Sequence, residues 1–322
     1  MQFIDVTTDG SLSLNETTKP TIENDECLIK VKAIGVNRAD ILQRAGKYPP
    51  PKGESTILGI EVSGEIVECG QDVKSWQVTD RVCCLVAGGG YAEYVKVKAV
   101  HLIAIPTQHT YQQGAAIAEV FLTAYQCLFT IAALKPQQNV LIHAGASGVG
   151  SAAIQLAKSK DCYVVVTTSN DEKCQACLSL GADQAINYRT TDFVTWSKDN
   201  KVKFDVILDV VAGDYIAKNI NVAALDAKIV ILSMLAGRYA EQIDIAKLLQ
   251  KRISLQATTL RNRSIDYKKQ LVDKFTDDFF QLLLDEKVLP VIDRVYSWHD
   301  IELAHQRMLD NLNIGKIVLT VD

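Results

Sequence analysis

The chain has 322 residues, of which 48% are hydrophobic and 22% are charged, and its formal net charge is −4. A domain typically takes ~100–200 residues, so this length predicts two domains with a cleft. Acidic and basic residues are interspersed, without the basic stripe of a nucleic-acid-binding protein or the polybasic segment of a membrane-surface protein. The composition therefore indicates a globular protein that binds neither nucleic acid nor membrane.

The amino terminus and the cysteines predict a cytoplasmic location. Residues 1–5 form neither a cationic leader nor an apolar run, and no stretch of ~18 consecutive apolar residues follows. The eight cysteines are then better explained as reduced thiols than as a disulfide framework. Cys174 and Cys177 have C-x-x-C spacing, which we interpret as packing on a helix that begins near Asn170.

The first part of the chain, to about residue 120, alternates short extended segments with turns rich in Gly and Pro. This pattern is typical of a mostly β domain. Strands are expected at residues 27–34, 64–68, 81–86 and 91–95.

From residue 140 onward, buried apolar strands alternate with helical stretches. Strands are expected at residues 140–143, 163–167, 185–187, 204–209, 228–232 and 253–256. Such apolar runs suit parallel strands covered by helices on both faces, so this part is predicted to be a doubly wound sheet. An amphipathic helix at 268–286 and a last strand at 315–320 follow, and we expect the tail to return to the first domain.

A glycine-rich loop separates the strand at 140–143 from the helical stretch at 151–158. Glycines let the backbone approach a pyrophosphate, and the helix N-terminus offers free N–H groups and a positive dipole end. The spacing is G-x-x-G-x-G rather than the usual G-x-G-x-x-G, and a tight structural turn is the alternative. The predicted dinucleotide loop comprises Gly145, Ala146, Ser147, Gly148, Val149 and Gly150.

Several motifs occur in register along nearly the whole chain, at residues 36–44, 46–48, 58–65, 144–150, 260–264, 293–296 and 313–319. Together they resemble the zinc-free quinone oxidoreductase branch of the medium-chain dehydrogenase/reductase superfamily, which includes zeta-crystallin. Within that branch, the chain resembles the stress-inducible quinone oxidoreductases of mammals.

This resemblance implies a domain organisation and a quaternary structure. Residues 1–120 would form a GroES-like, mostly β catalytic domain, and residues 121–261 a Rossmann NADPH-binding domain. Residues 262–322 would return to the catalytic domain, with the active site in the cleft. The resemblance also implies a homodimer, commonly joined through the edges of the Rossmann sheets.

The residues at the zinc-ligand positions of related enzymes predict that this protein holds no metal. Zinc-dependent relatives have a Cys where this chain has Asn37, and a Gly-His-Glu where it has Gly59, Ile60 and Glu61. A catalytic zinc needs three N, S or O protein ligands with an open fourth position. Without a Lewis acid, a quinone or enone is the easier acceptor, because added negative charge delocalises through its conjugated system. The protein then mainly holds the nicotinamide against the acceptor.

The resemblance places four candidate residues at the reaction site. Asn37 and Tyr48 match cleft positions, and Tyr48 would orient an oxygen or stack on a ring, unless it only packs a loop beside three prolines. Asp40 would organise Asn37 or relay a proton, or it is only a turn-capping carboxylate. Thr123 matches a stretch near the nicotinamide.

The end of the second Rossmann strand favours NADPH over NADH. An NAD enzyme usually has Asp or Glu there, whereas this strand ends in hydroxyls up to Ser169. The resemblance assigns Lys173 and Tyr188 to the 2′-phosphate. Asp171 and Glu172 oppose this preference unless they serve only the dipole of their helix.

Further cofactor contacts are expected from two later segments. Ser233 and Leu235 follow a Rossmann strand, where backbone commonly faces the cofactor. Asn313 and Lys316 match a segment near the cofactor, although Lys316 could equally be a solvated surface charge.

The sequence thus favours reduction of a quinone by NADPH. Two alternatives remain at this point. One is reduction of 2-alkenals or enones on the same fold, and the other is a non-catalytic, crystallin-like NADPH-binding protein.

Overall fold

The computed structural model describes residues 1–321. Its strands are β1 (Gln2–Val6), β2 (Leu12–Glu16), β3 (Glu26–Val36), β4 (Glu61–Cys69), β5 (Arg81–Leu85), β6 (Tyr94–Lys98), β7 (Leu102–Ala104), β8 (Asn139–His143), β9 (Tyr163–Thr168), β10 (Gln184–Asn187), β11 (Phe204–Asp209), β12 (Ala223–Ile231), β13 (Ser254–Ala257), β14 (Ile292–Ser297) and β15 (Lys316–Thr320).

The α-helices are α1 (Arg38–Arg44), α2 (Tyr111–Gly114), α3 (Ala118–Tyr125), α4 (Gly148–Lys158), α5 (Asp171–Ser179), α6 (Phe193–Asp199), α7 (Tyr215–Val222), α8 (Ile245–Lys251), α9 (Ile265–Leu284) and α10 (Ile301–Leu309).

The chain divides into two compact units. The β unit contains residues 1–122 and 260–321, and the α/β unit contains residues 123–259. The sequence analysis places these divisions after residues 120 and 261, two residues from the observed ones at 122 and 259.

The β unit is built on a seven-stranded sheet with the order β14-β15-β3-β4-β5-β7, and β6 also pairs with β3. The C-terminal strand β15 runs antiparallel to β3, with Leu319 opposite Ile34. The tail therefore returns to the first part of the chain, because its apolar strand completes that core. Ile29, Val62 and Ile317 lie in this core and are fully buried.

The α/β unit is a six-stranded sheet with the order β10-β9-β8-β11-β12-β13, and all of its strand pairs are parallel. Its central strands consist mostly of buried apolar residues, such as Val165 on β9 and Ile207 on β11, as expected for strands covered by helices. The predicted fold class, a GroES-like β domain with a doubly wound Rossmann sheet, is confirmed.

One strand prediction is out of place by three residues. The expected strand at 91–95 is β6 at Tyr94–Lys98. Tyr91 lies outside it because its backbone N–H donates to Leu58 O at 2.8 Å, and its side chain is fully buried. Tyr91 thus packs into the core from a loop instead of joining the sheet.

All eight cysteines are free thiols. Cys174 and Cys177 lie on α5 and are buried, as expected for packing residues.

One helical stretch, Tyr111–Ile131, is long and apolar enough to cross a membrane, with a mean hydropathy of 1.4. Its most apolar window is 78% buried within the protein, as in the core helix of a water-soluble fold. This stretch is weak evidence for a membrane span, and the predicted lack of a membrane partner stays a prediction.

Candidate active site and cofactor site

Asn37 caps the N-terminus of α1, where β3 ends, and its side-chain amide is fully engaged. Its Nδ2 donates to Gly35 O at 3.0 Å and to Glu61 Oε2 at 3.2 Å, and its Oδ1 accepts from Lys316 Nζ at 2.6 Å. An amide has two N–H donors, so neither is left for a substrate oxygen. Asn37 therefore acts on the site by fixing its neighbours.

Lys316 is the cation of this cluster. Its Nζ contacts Glu61 Oε2 at 2.7 Å and donates to Val36 O at 2.9 Å, besides Asn37. These contacts use all three hydrogens of the ammonium. Lys316 is only 3% exposed, so the alternative of a solvated surface charge is wrong.

The contacts of Lys316 and Asn313 bear on their expected cofactor roles. Asn313 Nδ2 donates to Gly315 O at 2.8 Å, within its own turn. Lys316 has no hydrogen left for a phosphate, so its contacts favour a role in holding Asn37 and Glu61. The assignment of Lys316 and Asn313 to the cofactor stays a prediction.

The cluster lies where the resemblance puts a catalytic zinc. Two would-be ligands are Asn37 and Ile60, and Glu61 is already neutralised by the Lys316 ammonium. Within residues 1–321, no three His, Cys, Asp or Glu side chains gather in a way that could hold a metal ion. The donor set present here does not fit a catalytic zinc.

A hydrogen-bonded chain runs from α1 to α10 through Asp40, Tyr91 and His305. Asp40 Oδ2 accepts from Asn37 N at 2.8 Å and from the Tyr91 hydroxyl at 3.1 Å. The same hydroxyl lies 3.0 Å from His305 Nε2. Asp40 Oδ1 is buried without a hydrogen-bond partner among the described residues. Two of the three roles expected for Asp40, organising Asn37 and capping the turn, agree with these contacts.

Burial shifts both titratable ends of this chain. The pKa of Asp40 is raised to about 6, because loss of solvent outweighs the hydrogen bond from Asn37 and the charge of Lys316. The pKa of His305 is lowered to about 4, mainly by burial and then by the charge of Arg44, against the opposing charge of Glu302. Asp40 can therefore exchange a proton near neutral pH, whereas His305 stays neutral there.

Tyr48 is half-buried beside the guanidinium of Arg261, whose carbon lies 5.3 Å from the ring centroid. Arg261 is 4% exposed and donates to Ala87 O at 2.6 Å, to Gln43 Oε1 at 2.6 Å and to Tyr48 O at 3.3 Å. It thereby joins three separate segments of the β unit. Burial raises the pKa of Tyr48, so its hydroxyl stays protonated and can donate.

The glycine loop of the α/β unit has the predicted strand, turn and helix. Ser147 caps α4 by accepting from Gly150 N at 3.0 Å. A Cβ on Gly150 would lie 2.4 Å from Ala144 O, and one on Gly145 would lie 2.6 Å from Val166 Cβ. Both glycines are thus required for packing, while the N-terminus of α4 is left to bind a pyrophosphate. The loop fits a dinucleotide.

The residue with a positive φ angle in this loop is Ala144, which is not a glycine. Ala144 has φ 54°, a left-handed conformation that costs a residue with a Cβ about 1–2 kcal/mol. No sequence signal marks this position, because such a conformation normally calls for Gly.

The expected 2′-phosphate residues come together at one end of the parallel sheet. Tyr188 N donates to Thr168 O at 3.0 Å, which ties the residue after β10 to the end of β9. Asn170 caps α5 by accepting from Lys173 N at 2.8 Å. Ser169, Lys173 and Tyr188 therefore border the same strand ends.

Of the two acids that oppose NADPH, one is tied down within the protein. Asp171 Oδ1 accepts from Asn187 Nδ2 at 2.8 Å, and both Asp171 and Glu172 lie in the first turn of α5. This placement is the helix-dipole role that the sequence analysis offered for them.

The other predicted residues of the α/β unit lie on separate elements. Thr123 is a buried residue of α3, at 6% exposure. Ser233 and Leu235 follow β12, and Leu235 N donates to Val210 O at 3.3 Å, which joins this segment to the end of β11. Their contact with a cofactor stays a prediction.

A buried polar cluster below these strand ends was missed by the sequence analysis. His143 contacts Thr167 Oγ1 at 2.9 Å and Asn219 Oδ1 at 2.8 Å, and Asn219 Nδ2 donates to Asp209 Oδ2 at 2.9 Å. Asp209 Oδ1 in turn accepts from Ala212 N at 2.9 Å, just beyond β11. The cluster fixes the loop that follows β11. Polar residues inside otherwise apolar strands were its only sequence signal.

Sequence profiles of two protein families match the chain. Residues 23–107 match the alcohol dehydrogenase GroES-like domain, and residues 148–277 match the zinc-binding dehydrogenase family. The zebrafish (Danio rerio) synaptic vesicle membrane protein VAT-1 homolog is 31% identical over 318 residues. That alignment covers 94% of this chain and 66% of the relative's length.

Two solved structures of quinone oxidoreductases are similar to this chain over its whole length. The Thermus thermophilus enzyme, solved alone and with NADPH, has a TM-score of 0.84 at 26% identity, covering 100% of both chains. The Coxiella burnetii enzyme has a TM-score of 0.79 at 28% identity, covering 100% of this chain and 98% of its own.

Proposed function

This chain belongs to the medium-chain dehydrogenase/reductase superfamily, and we propose that it is an NADPH-dependent, zinc-independent oxidoreductase that reduces quinones. We further propose that it belongs to the quinone oxidoreductase branch. The buried ammonium of Lys316, held by Asn37 and Glu61 where zinc-dependent relatives bind their metal, carries this proposal.

The buried ammonium of Lys316 favours a conjugated substrate over a simple ketone for a chemical reason. All three of its hydrogens are used within the protein, so it cannot polarise a substrate carbonyl as a metal would. A simple ketone or alcohol depends on such polarisation. A quinone does not, because its conjugated system spreads the incoming negative charge. When bound, NADPH supplies the hydride.

The chain's own residues would bind and orient the two reactants. The N-terminus of α4 would hold the pyrophosphate, and Ser169, Lys173 and Tyr188 would hold the 2′-phosphate. The Tyr48 hydroxyl, positioned by Arg261, donates to an acceptor oxygen on which charge develops. The solved NADPH complex of the Thermus enzyme supports the choice of cofactor.

We also propose that the protein is a cytoplasmic homodimer. The edge strand β13 pairs only with β12 among the described residues. Its Leu255 is 40% exposed, and Leu249 on the preceding helix α8 is 74% exposed. A two-fold axis would pair β13 with its copy.

Cell fractionation tests the proposed cytoplasmic location, because a similar protein is named for the synaptic vesicle membrane. Recovery of the protein with vesicles would refute a cytoplasmic location.

Turnover with a panel of acceptors tests the proposed function. NADPH oxidation is followed by absorbance with a naphthoquinone, a short 2-alkenal and a simple ketone at equal concentration. We expect the highest kcat/KM for the naphthoquinone and none above background for the ketone. A higher kcat/KM for the alkenal would establish the enone-reductase alternative, and NADPH binding without any turnover would establish the non-catalytic one.

A further inference from the structure

Cys27 and Cys69 face each other across two long strands of the β unit. Cys27 is the second residue of β3 and Cys69 is the last residue of β4, and these antiparallel strands place the two residues directly opposite each other. Their sulfur atoms are 3.9 Å apart. No other pair of cysteines is paired across strands in the register of the described sheets.

The hydrogen-bond pattern gives this pair the closer of the two antiparallel spacings. Gly70 N donates to Glu26 O at 2.8 Å, so the neighbouring pair is the hydrogen-bonded one. Cys27 and Cys69 therefore occupy a non-hydrogen-bonded position, where Cα atoms are ~4.5 Å apart. A disulfide accepts Cα separations of ~4.4–6.8 Å, so the backbone can accommodate the bond with little movement.

The two thiols differ in access. Cys27 is fully buried in the core, whereas Cys69 is partly exposed at the end of β4, just before the turn at Gly70. Cys69 Sγ also lies 3.8 Å from Trp76 O. An oxidant in solution would reach Cys69 first, and Cys27 is the thiol across the strand pair that is placed to react next.

We propose that Cys27 and Cys69 form a redox modification site, a dithiol that hydrogen peroxide oxidises to a disulfide joining β3 to β4. Peroxide first converts the Cys69 thiol to a sulfenic acid, with release of one water. The Cys27 thiol then attacks that sulfur, the S–S bond forms, and a second water leaves. Overall, two thiols are oxidised by two electrons and one peroxide is reduced to two waters.

Burial sets the expected pace of this reaction. It raises the pKa of Cys27 to about 12, with a further contribution from Cys69. Since the thiolate is the attacking species, the second step should be slow, and reduction should restore both thiols. Other buried thiols, such as Cys84, have no cysteine opposite them in the described sheets and should remain unmodified.

Peptide mapping of the full-length protein tests this proposal. The folded protein is treated with hydrogen peroxide, blocked with N-ethylmaleimide, digested without reduction and examined by mass spectrometry. We expect a linked pair of peptides containing Cys27 and Cys69 that separates on adding dithiothreitol. Cys69→Ala should abolish the linked product, and the matched control Cys174→Ala should leave its yield within about twofold of the wild type.

Thermal unfolding gives a second measurement that does not depend on peptide recovery. Oxidation should raise the thermal midpoint of the wild-type protein and not that of Cys69→Ala, since a cross-link restricts the unfolded chain. The proposal is overturned if Cys69 goes on to a sulfinic acid without linkage. Disulfides joining other cysteine pairs in greater yield, or survival of all the thiols in the treated folded protein, would also overturn it.

Discussion

Tyr48, which three prolines follow in the chain, lies beside a buried guanidinium. Arg261 lies against the Tyr48 ring and binds the carbonyl oxygens of Tyr48 and Ala87. Its hydrogen bonds go to these carbonyls and to the Gln43 side chain, and its charge also acts on the carboxyl of Asp40. This arrangement leaves the Tyr48 hydroxyl as the candidate donor to an acceptor.

We predict that Tyr48→Phe lowers kcat for a naphthoquinone by roughly tenfold, the value of one hydrogen bond of ~1–1.5 kcal/mol made in the transition state. The KM for NADPH should stay unchanged, because Tyr48 is assigned to the acceptor. Tyr239→Phe, a change at a 77% exposed tyrosine, is the control. Steady-state kinetics equal to those of the wild type would mean that Tyr48 only packs its loop.

Asp40 gives the protein an unusual pH dependence of stability. Its pKa rises from 3.8 to about 6 on folding, so the protonated carboxyl is favoured in the folded state. The protonated carboxyl stabilises the folded state fully at pH values below ~4, and this stabilisation is lost as the pH rises through ~6. His305 acts in the opposite direction, because its pKa falls from 6.5 to about 4, so the folded state gains stability as the pH rises through that window.

We predict that the free energy of unfolding of Asp40→Asn rises relative to that of the wild type as the pH rises from about 4.5 to about 7.5. The change should be about 2 kcal/mol over this range, most of the ~3 kcal/mol that is equivalent to a shift of about two pKa units. Unfolding by urea at both pH values measures it, with Asp199→Asn at an exposed site as the control. A pH-independent difference between Asp40→Asn and wild type would contradict this account.

Long-range contacts explain why the centre of the site could not be predicted from the sequence. Lys316 and Asn37 lie 279 positions apart, and Tyr91 and His305 lie 214 apart. A local sequence pattern does not predict that residues so far apart in the chain are in contact. The pairing of β15 with β3 brings Lys316 next to Asn37. The resemblance identified Asn37, Asp40 and Lys316 as candidate site residues, but it did not predict which residues they contact.

At the scale of elements, the α/β unit was the more predictable part. Its strands are short apolar runs such as β11 at Phe204–Asp209, which the sequence places at the same residues. Helices covering both faces make these runs continuous. β12 is an exception, because it begins at Ala223 whereas the sequence analysis expects it at 228–232. The β unit was less predictable, because loops there also carry fully buried residues such as Tyr91.

We propose that the end of β9, the end of β10 and the first turn of α5 together decide the choice of cofactor. They gather Ser169, Lys173 and Tyr188 and hold Asp171 against Asn187. We predict that Lys173→Ala raises the KM for NADPH roughly tenfold or more, since a charge-assisted phosphate contact contributes ~1.5–3 kcal/mol. The KM for NADH should barely change.

Lys198→Ala, at an exposed position of α6, provides the control for charge loss in the same unit. Equal effects of Lys173→Ala on the two cofactors would remove Lys173 from the 2′-phosphate site. If the wild-type protein preferred NADH, the assignment of Ser169, Lys173 and Tyr188 to the 2′-phosphate would be refuted.

At the scale of the whole molecule, the exposed edge of the parallel sheet carries the proposed dimer interface. We predict that Leu249→Glu combined with Leu255→Glu converts a dimer to a monomer, because like charges would meet at the two-fold axis. Light scattering coupled to size-exclusion chromatography measures the mass. Leu303→Glu, at a 60% exposed position of α10, should leave the dimer intact. A wild-type monomer at micromolar concentration would contradict the proposal.

The central claim is that this protein reduces quinones without a metal, because the Lys316 ammonium replaces it. The most direct measurement combines elemental analysis of the purified protein with naphthoquinone turnover by NADPH before and after dialysis against a chelator. The account predicts less than about one zinc per ten chains and an unchanged kcat/KM after dialysis. One tightly bound zinc per chain, together with loss of turnover to the chelator, would contradict it.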